Sequence, residues 1–223
     1  RGNGQTQTID SMEFKPDLVW IKSRSNNTWN NLFDTVRGAD KALYTNSGNA
    51  QTGPHQPSRL SSFIDGGFTL GSNSDSNDLG EEYVAWSWKA GDSEATNVNG
   101  SIISTVRSNP TYGFSIVKYD GTGANATVGH GLGAAADMIM VKRMVGGNQD
   151  WSVYHSGAQI AGAKSAKINV PGATFVNDST TWQNQAPNST NFSIGTNPES
   201  NSPVQSHIAY CWTSIPGFSS FGE

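Results

Sequence analysis

Residues able to do chemistry are few in this chain, and their spacing does not gather them. Four histidines occur, His55, His130, His155 and His207. No two stand four residues apart, so no helical pair offers itself as a metal clamp, and each is read as a packing or surface residue. Cys211 is the only cysteine. It lies in a strand-like run without a protease signature, which suits a small buried residue better than a nucleophile. No Gly-x-Ser-x-Gly elbow occurs. Glu81 with Glu82, or Asp34 with Asp40, would be the carboxylate pairs of a glycosidase. Neighbours on a strand point to opposite faces, so Glu81 and Glu82 do not share a cleft. Gly2-Asn3-Gly4 and Gly121-Thr122-Gly123 lack the following helix that a phosphate-binding loop needs. The chain is read as no enzyme, with no catalytic residue, metal or cofactor.

Two features suit ligands better than reactions. Ser72-Asn73-Ser74-Asp75-Ser76-Asn77-Asp78 is rich in oxygen donors. It lacks the glycine of the EF-hand calcium loop, so a solvated loop is the simpler reading. Trp29, Trp151 and Trp182 lie near Asn-rich stretches, where an indole could stack on a sugar ring. Trp182 is the candidate ligand contact, because Trp29 and Trp151 answer each other along the chain and fit a shared packing role equally well. Six sequons, at Asn26, Asn99, Asn125, Asn177, Asn188 and Asn191, follow from the abundance of Asn, Ser and Thr.

The elements that hold these residues repeat. Asp17-Leu18-Val19-Trp20-Ile21-Lys22-Ser23 is echoed by Asp137-Met138-Ile139-Met140-Val141-Lys142-Arg143. Trp29, followed by Leu32 and Phe33, is echoed by Trp151, followed by Tyr154 and His155. Phe68-Thr69-Leu70-Gly71 is echoed by Phe192-Ser193-Ile194-Gly195, and Tyr83-Val84-Ala85-Trp86-Ser87-Trp88 by His207-Ile208-Ala209-Tyr210-Cys211-Trp212. Before each copy stands a Gly-x-Gly turn. Five segments in one order point to an internal duplication.

The shared segments alternate with period two and are rich in β-branched and aromatic residues, which predicts strands. Further strands are expected at 31–36, 42–45, 100–106, 114–119, 152–155 and 167–170. The expected fold is all-β: two tandem β-sandwich, jelly-roll-like units, 1–109 and 110–223. A polar seam is expected near Asp92–Asn99, and one continuous sandwich of two half-sheets is the alternative. Val19, Ile21, Val84, Trp86, Ile139, Val141, Ile208 and Tyr210 are expected in the core, with Trp88 and Trp212 as buried anchors. Gly113-Phe114-Ser115 opens the first strand of the second copy. The first copy has no counterpart to that strand, while Gly217-Phe218-Ser219 near the C-terminus reads as the same strand beginning again.

Of the 223 residues, 14% are charged and the formal net charge is -4. Without a Lys/Arg block to attract phosphates, nucleic acid and anionic membrane are not expected as partners. No apolar run approaches the roughly 20 residues of a membrane-spanning helix.

Pro16-Asp17-Leu18-Val19-Trp20-Ile21-Lys22, Leu32-Phe33-Asp34-Thr35-Val36-Arg37-Gly38, Asp65-Gly66-Gly67-Phe68-Thr69-Leu70-Gly71 and Tyr83–Gly91 resemble a repeat domain of unknown function from marine, cyanophage-type bacteriophage proteins, tail fibres among them. Gly129-His130-Gly131-Leu132-Gly133 and Ile215-Pro216-Gly217-Phe218-Ser219 extend the resemblance. It implies a structural protein facing outward from a virion, with other repeats or subunits as partners in a homo-oligomer and a role in host attachment. A carbohydrate-binding module for host surface glycan is the alternative, and a glycan-cleaving enzyme a third reading.

Overall fold

The computed structural model describes residues 1–52, 58–158 and 164–222. The chain is all-β apart from a few single-turn helices. It divides into two compact units, Arg1–Lys89 and Ala90–Glu223.

In the first unit the strands are β1 (Gln7–Ile9), β2 (Leu18–Ser23), β3 (Asn31–Asp34), β4 (Leu43–Tyr44), β5 (Leu60–Ile64), β6 (Gly67–Leu70) and β7 (Tyr83–Trp88), with one helical turn, α1 (Ser74–Asn77). They form an antiparallel sheet in the order β4-β3-β2-β7 and a smaller one in the order β1-β6-β5. Strand alternation turns Val19 and Ile21 of β2 inward. There they meet Phe33, Leu60, Phe68 and Leu70 in one buried cluster drawn from both sheets.

The second unit holds β8 (Ala95–Asn97), β9 (Ser104–Asn109), β10 (Phe114–Asp120), β11 (Ala126–Gly129), β12 (Met138–Arg143), β13 (Ser152–His155), β14 (Lys164–Ser165), β15 (Val176–Asn177), β16 (Asn191–Ile194) and β17 (Ser206–Trp212). Helical turns α2 (Ser179–Trp182) and α3 (Pro198–Asn201) lie among them. Six strands form one sheet, β13-β12-β17-β10-β9-β8, and β11 pairs with β16. Val117, Tyr119, Ile139, Val141, Ala209 and Cys211 from the large sheet close on Val128, Phe192 and Ile194 from the small one.

The registers of the two units run in parallel. Leu18 faces Trp88 and Trp20 faces Trp86, as Met138 faces Trp212 and Met140 faces Tyr210. Thr8 faces Thr69 and Ile9 faces Phe68, as Thr127 faces Ser193 and Val128 faces Phe192.

Several expectations change. The units meet at 89/90 rather than 109/110, because β9 pairs along its length with β10 and so belongs to the second sheet. The polar stretch 92–99 contains β8, an edge strand whose ladder partner is β9; backbone pairing there needs no bulky residue. Residues 167–170 form a turn instead of a strand. Trp86 is 44% exposed, since even-numbered β7 residues face away from the unit's core, and Trp88 is half-buried where Trp212 is buried. Residues Pro216–Ser219 are not a strand: Ile215 bridges Ser219 across a tight turn that leaves Phe218 exposed.

Candidate functional site

Trp182 sits on α2, whose N-cap Asp178 accepts the Thr180 and Thr181 amides. The cap aims the indole inward, where it meets Tyr154 and Phe192 edge-on at 6.0 and 6.4 Å. It is 1% exposed, so it is a core side chain and not the ligand contact the sequence suggests. Trp151 is fully buried, while Trp29 is 41% exposed with its ring 5.1 Å from Tyr44. Register explains the contrast. Asn31 opposes Ile21, whereas Ser152 opposes Val141, so Trp151 stands one residue nearer its strand than Trp29. A one-residue slip turns a side chain to the other face. By the same register His155 opposes Met138 as Asp34 opposes Leu18; it takes the place of Asp34, not of Phe33.

The other candidates are structural in their surroundings. His55 lies outside the described residues. His130 is buried, its Nε2 3.0 Å from the Asn188 carbonyl and its Nδ1 accepting the Leu132 amide. His155 accepts the Gly157 amide at 3.1 Å. His207 is fully buried, stacked on Tyr119 at 5.2 Å, and accepts the Ser202 amide. The Cys211 thiol is buried, and burial pushes its pKa well above the usual range, away from nucleophilic use. The Asp34 carboxylate is buried against Arg37 at 2.5 Å. Glu81 accepts from the Ser25 hydroxyl. Lys142 is buried with its Nζ 2.6 Å from the Gln149 carbonyl; burial lowers its pKa to about 8. Such an amine could attack a carbonyl, but no solvent reaches it. Among the described residues no three His, Cys, Asp or Glu side chains group as a metal site.

The oxygen-rich loop has a definite job. Asn73 caps α1 by accepting the Asp75 amide, and Asn77 at its end is fully buried. The Asn77 amide donates to the carbonyls of Gln5 and Gly71 at 2.6 and 2.8 Å, and its Oδ1 accepts the Asn3 amide at 3.0 Å. Asn201 on α3 does the same: it donates to the carbonyls of Ala124 and Gly195, both at 2.6 Å, and accepts the Thr122 amide at 2.7 Å. Each asparagine therefore pins a Gly-x-Gly turn to the end of a strand. Gly2 and Gly121 pass so close to the carbonyls of Asp78 and Ser202 that a β-carbon would collide with them, and Gly4 and Gly123 take positive φ of 67° and 73°. The sequence places Asn77 in a loop read as solvated and gives no reading of Asn201; the recurring Gly-x-Gly was the one signal that they were held.

One concave feature stands out. A cleft of about 220 Å³ opens in the first unit beside β7, lined by Ile9, Ile21, Phe68, Ser76, Tyr83 and Ala85 among others. It is mostly apolar, with Arg1 and Tyr83 as the ionisable residues along it. Its chemistry is that of a socket for an apolar side chain.

A family model described as a domain of unknown function, DUF7483, matches residues 1–223. The chain belongs to the DUF7483 family. No curated protein and no solved structure matches this DUF7483 chain.

The histidines give the DUF7483 chain a pH dependence. Burial lowers the His207 pKa to about 4 and lowers that of His130 in the same sense. An unfolded histidine titrates near 6.5. As pH falls below about 6.5 the unfolded chain takes up protons that the folded chain refuses, so stability falls between pH ~6.5 and ~4. His207 alone accounts for a loss of about 3 kcal/mol across that window. Urea denaturation at pH 7 and at pH 4.5 should show the loss, and His207→Gln should recover most of it. Equal losses in both proteins would assign the effect elsewhere.

Proposed function

We propose that the chain is a non-catalytic structural segment of a virion surface appendage, a tail fibre foremost, built by duplication of one β-sandwich unit and serving host attachment. The observation that carries it is the paired brace at Asn77 and Asn201. Both asparagines are buried, both tie a Gly-x-Gly turn to a neighbouring strand, and both stand at the end of a capped helical turn. The parallel registers of β2–β7 and β12–β17 support the same reading.

What differs between the copies supports the structural role. Glu81 and Glu82 give way to Gln205 and Ser206, and Tyr83 gives way to His207. Lys22 is exposed where Lys142 is buried. Asp17 and Asp137 recur in the frame while the carboxylates of Glu81 and Glu82 do not, which suits a scaffold better than a duplicated reaction site. The resemblance to phage repeat proteins supplies the setting, and other repeats or subunits of the same protein are the expected partners.

Two measurements test this. An experimental structure should superpose Asn77 on Asn201 and Ile21 on Val141; strands that fail to overlay remove the duplication. Antibody raised against the chain should decorate the appendages of the phage that encodes it and slow adsorption. Decoration of infected-cell interiors alone removes the virion role.

A second reading, glycan binding, is favoured by Trp29, which pairs an exposed indole with Tyr44. Neutral oligosaccharides should then change tryptophan emission in the parent and leave Trp29→Ala unaffected. An array of host glycans that gives no signal removes this reading.

A further inference from the structure

Arg143 ends β12 and pairs across the ladder with His207 of β17, where the first unit pairs Ser23 with Tyr83. Strand alternation sends its side chain to the same face as Val141, and the residue is 8% exposed. One terminal nitrogen donates to the Gly146 carbonyl, the other to the Ser202 hydroxyl at a long 3.3 Å. Nε is buried and has no hydrogen-bond partner. No carboxylate pairs with Arg143 among the described residues. Arginine keeps its charge, and a buried charge without an opposite one is costly. The first unit shows a completed set. Arg37 is buried, gives its terminal nitrogens to the carbonyls of Lys41 and Leu32 at 2.7 and 3.0 Å, and gives Nε to the Asp34 carboxylate at 2.5 Å. Arg143 has neutral acceptors in the first two places and nothing in the third.

Two loops meet at this guanidinium. The connection from β12 to β13 runs through Val145-Gly146-Gly147-Asn148, all exposed, and the turn after α3 runs through Ser202-Pro203-Val204-Gln205. The Met144 amide donates to the Ser206 carbonyl at 2.9 Å, and a β-carbon on Gly146 would stand 2.8 Å from Gln205 Oε1, so the loops touch. A β-carbon on Gly147 would meet only Arg143 Nη2, at 3.9 Å, so the space beside it is open. Val204 is 87% exposed and takes a φ of 53°, a left-handed conformation that β-branched side chains resist. Gly80 fills the corresponding turn of the first unit: its amide donates to the Gly2 carbonyl as the Val204 amide donates to that of Gly121. Arginine for Ser23 and valine for Gly80 are thus departures from the first unit that fall at one spot.

We infer that Arg143 anchors a binding site for acidic glycans, taking the carboxylate of a uronate residue between the loops 144–149 and 202–205. The carboxylate matches the guanidinium fork: one oxygen takes the Nε proton, and the other takes the Nη2 proton now given to the Gly146 carbonyl, which the exposed glycine pair releases. The rim matches a sugar. Val145 and Val204 offer apolar surface to the C–H face of a pyranose ring, and Asn148 and Gln205 offer neutral amides to its hydroxyls. Neither loop tip carries a second cation, which suits one carboxylate among neutral groups better than an acidic peptide. The site shares the glycan class of the second reading above but not its residues, since it lies in the second unit and does not use Trp29.

Proton–nitrogen NMR of the full chain reads the contact, because the Arg143 Nε–H gives a resonance of its own. Methyl glucuronide at millimolar concentration should move that resonance downfield and shift the Gly146 and Gly147 amides to saturation. Methyl glucoside, the same ring without the charge, should bind about tenfold more weakly, and so should N-acetylglutamate N-methylamide, the same charge without the ring. Arg143→Gln should abolish the shifts of both glycine amides. Should that variant fail to fold, Val204→Asp serves: the position is exposed, its left-handed φ suits Asp better than Val, and a carboxylate at the rim should weaken methyl glucuronide about tenfold. Absence of binding, equal binding of the glucoside, an unmoved Nε–H resonance at saturation, or a folded Arg143→Gln or Val204→Asp that binds like the parent overturns the proposal. Tighter binding of the glutamate derivative overturns the sugar and assigns the site to acidic peptides. Binding lost in Trp29→Ala but kept in Arg143→Gln overturns this site while leaving the glycan reading at Trp29 in place.

Discussion

Replacing Trp182 with Ala will destabilise the second unit by about 3–5 kcal/mol, the range for removing a large aromatic side chain from a packed core. Nothing in the local sequence Thr180-Thr181-Trp182-Gln183 demands so large an effect. It follows from the indole's position between Tyr154 and Phe192, where it bridges a residue of the large sheet and one of the small sheet. The surrounding strands are tied by their own ladders and will not collapse into the space. Trp182→Phe separates burial from hydrogen bonding. The indole Nε1 is buried without a hydrogen-bond partner, so losing it removes a desolvated donor and offsets part of the lost volume. The phenylalanine variant should therefore cost less than half as much as alanine. Chemical denaturation followed by far-UV dichroism measures both. An alanine variant within about 1 kcal/mol of the parent would return Trp182 to the surface and to ligand binding.

Asn201→Ala carries the second large effect, about 3–5 kcal/mol. One side chain satisfies two carbonyls and one amide, and its removal strands all three at a buried position. Each orphaned group costs about 1–3 kcal/mol. Asn201→Asp should be nearly as harmful above its own titration, because a carboxylate oxygen would face the Ala124 and Gly195 carbonyls with no proton to share. Asn77→Ala should cost a similar amount in the first unit. Substituting Ser189 is the control, since its exposed position predicts a change within about 0.5 kcal/mol. Midpoints of urea denaturation decide the matter; an Asn201→Ala midpoint equal to that of the control removes the brace.

Much of the frame was legible before any coordinates. The runs at 17–23 and 137–143, and at 83–88 and 207–212, carry both the alternation of a strand and the echo of a repeat, and they form the paired strands β2 with β7 and β12 with β17. β5 and β8 were not legible: Leu60–Ile64 contains two serines, Ala95–Asn97 has no bulky side chain, and both are edge strands defined by backbone pairing. Burial was legible only in part. Lys22 and Lys142 are the same residue after the same pattern, yet one is exposed and the other buried, because only Lys142 has the Gln149 carbonyl to take its ammonium group. Trp29 and Trp151 follow the preceding strand at different spacings, and a single step of register against that strand decides which indole reaches the core. The asparagine braces depend on contacts more than seventy residues apart in sequence, which no local pattern encodes.

Cys211 has one more consequence. As the chain's sole cysteine it forms no bond within the chain, and its burial keeps oxidants and other thiols away. The fold is therefore indifferent to redox poise: thiol reductant should leave the thermal midpoint where it is. A protein of this design could be made in a reducing cytoplasm and meet an oxidising outside without refolding or exchange of partners. It also makes the chain a quiet background for spectroscopy, where a single dye placed at any exposed position reports that position alone.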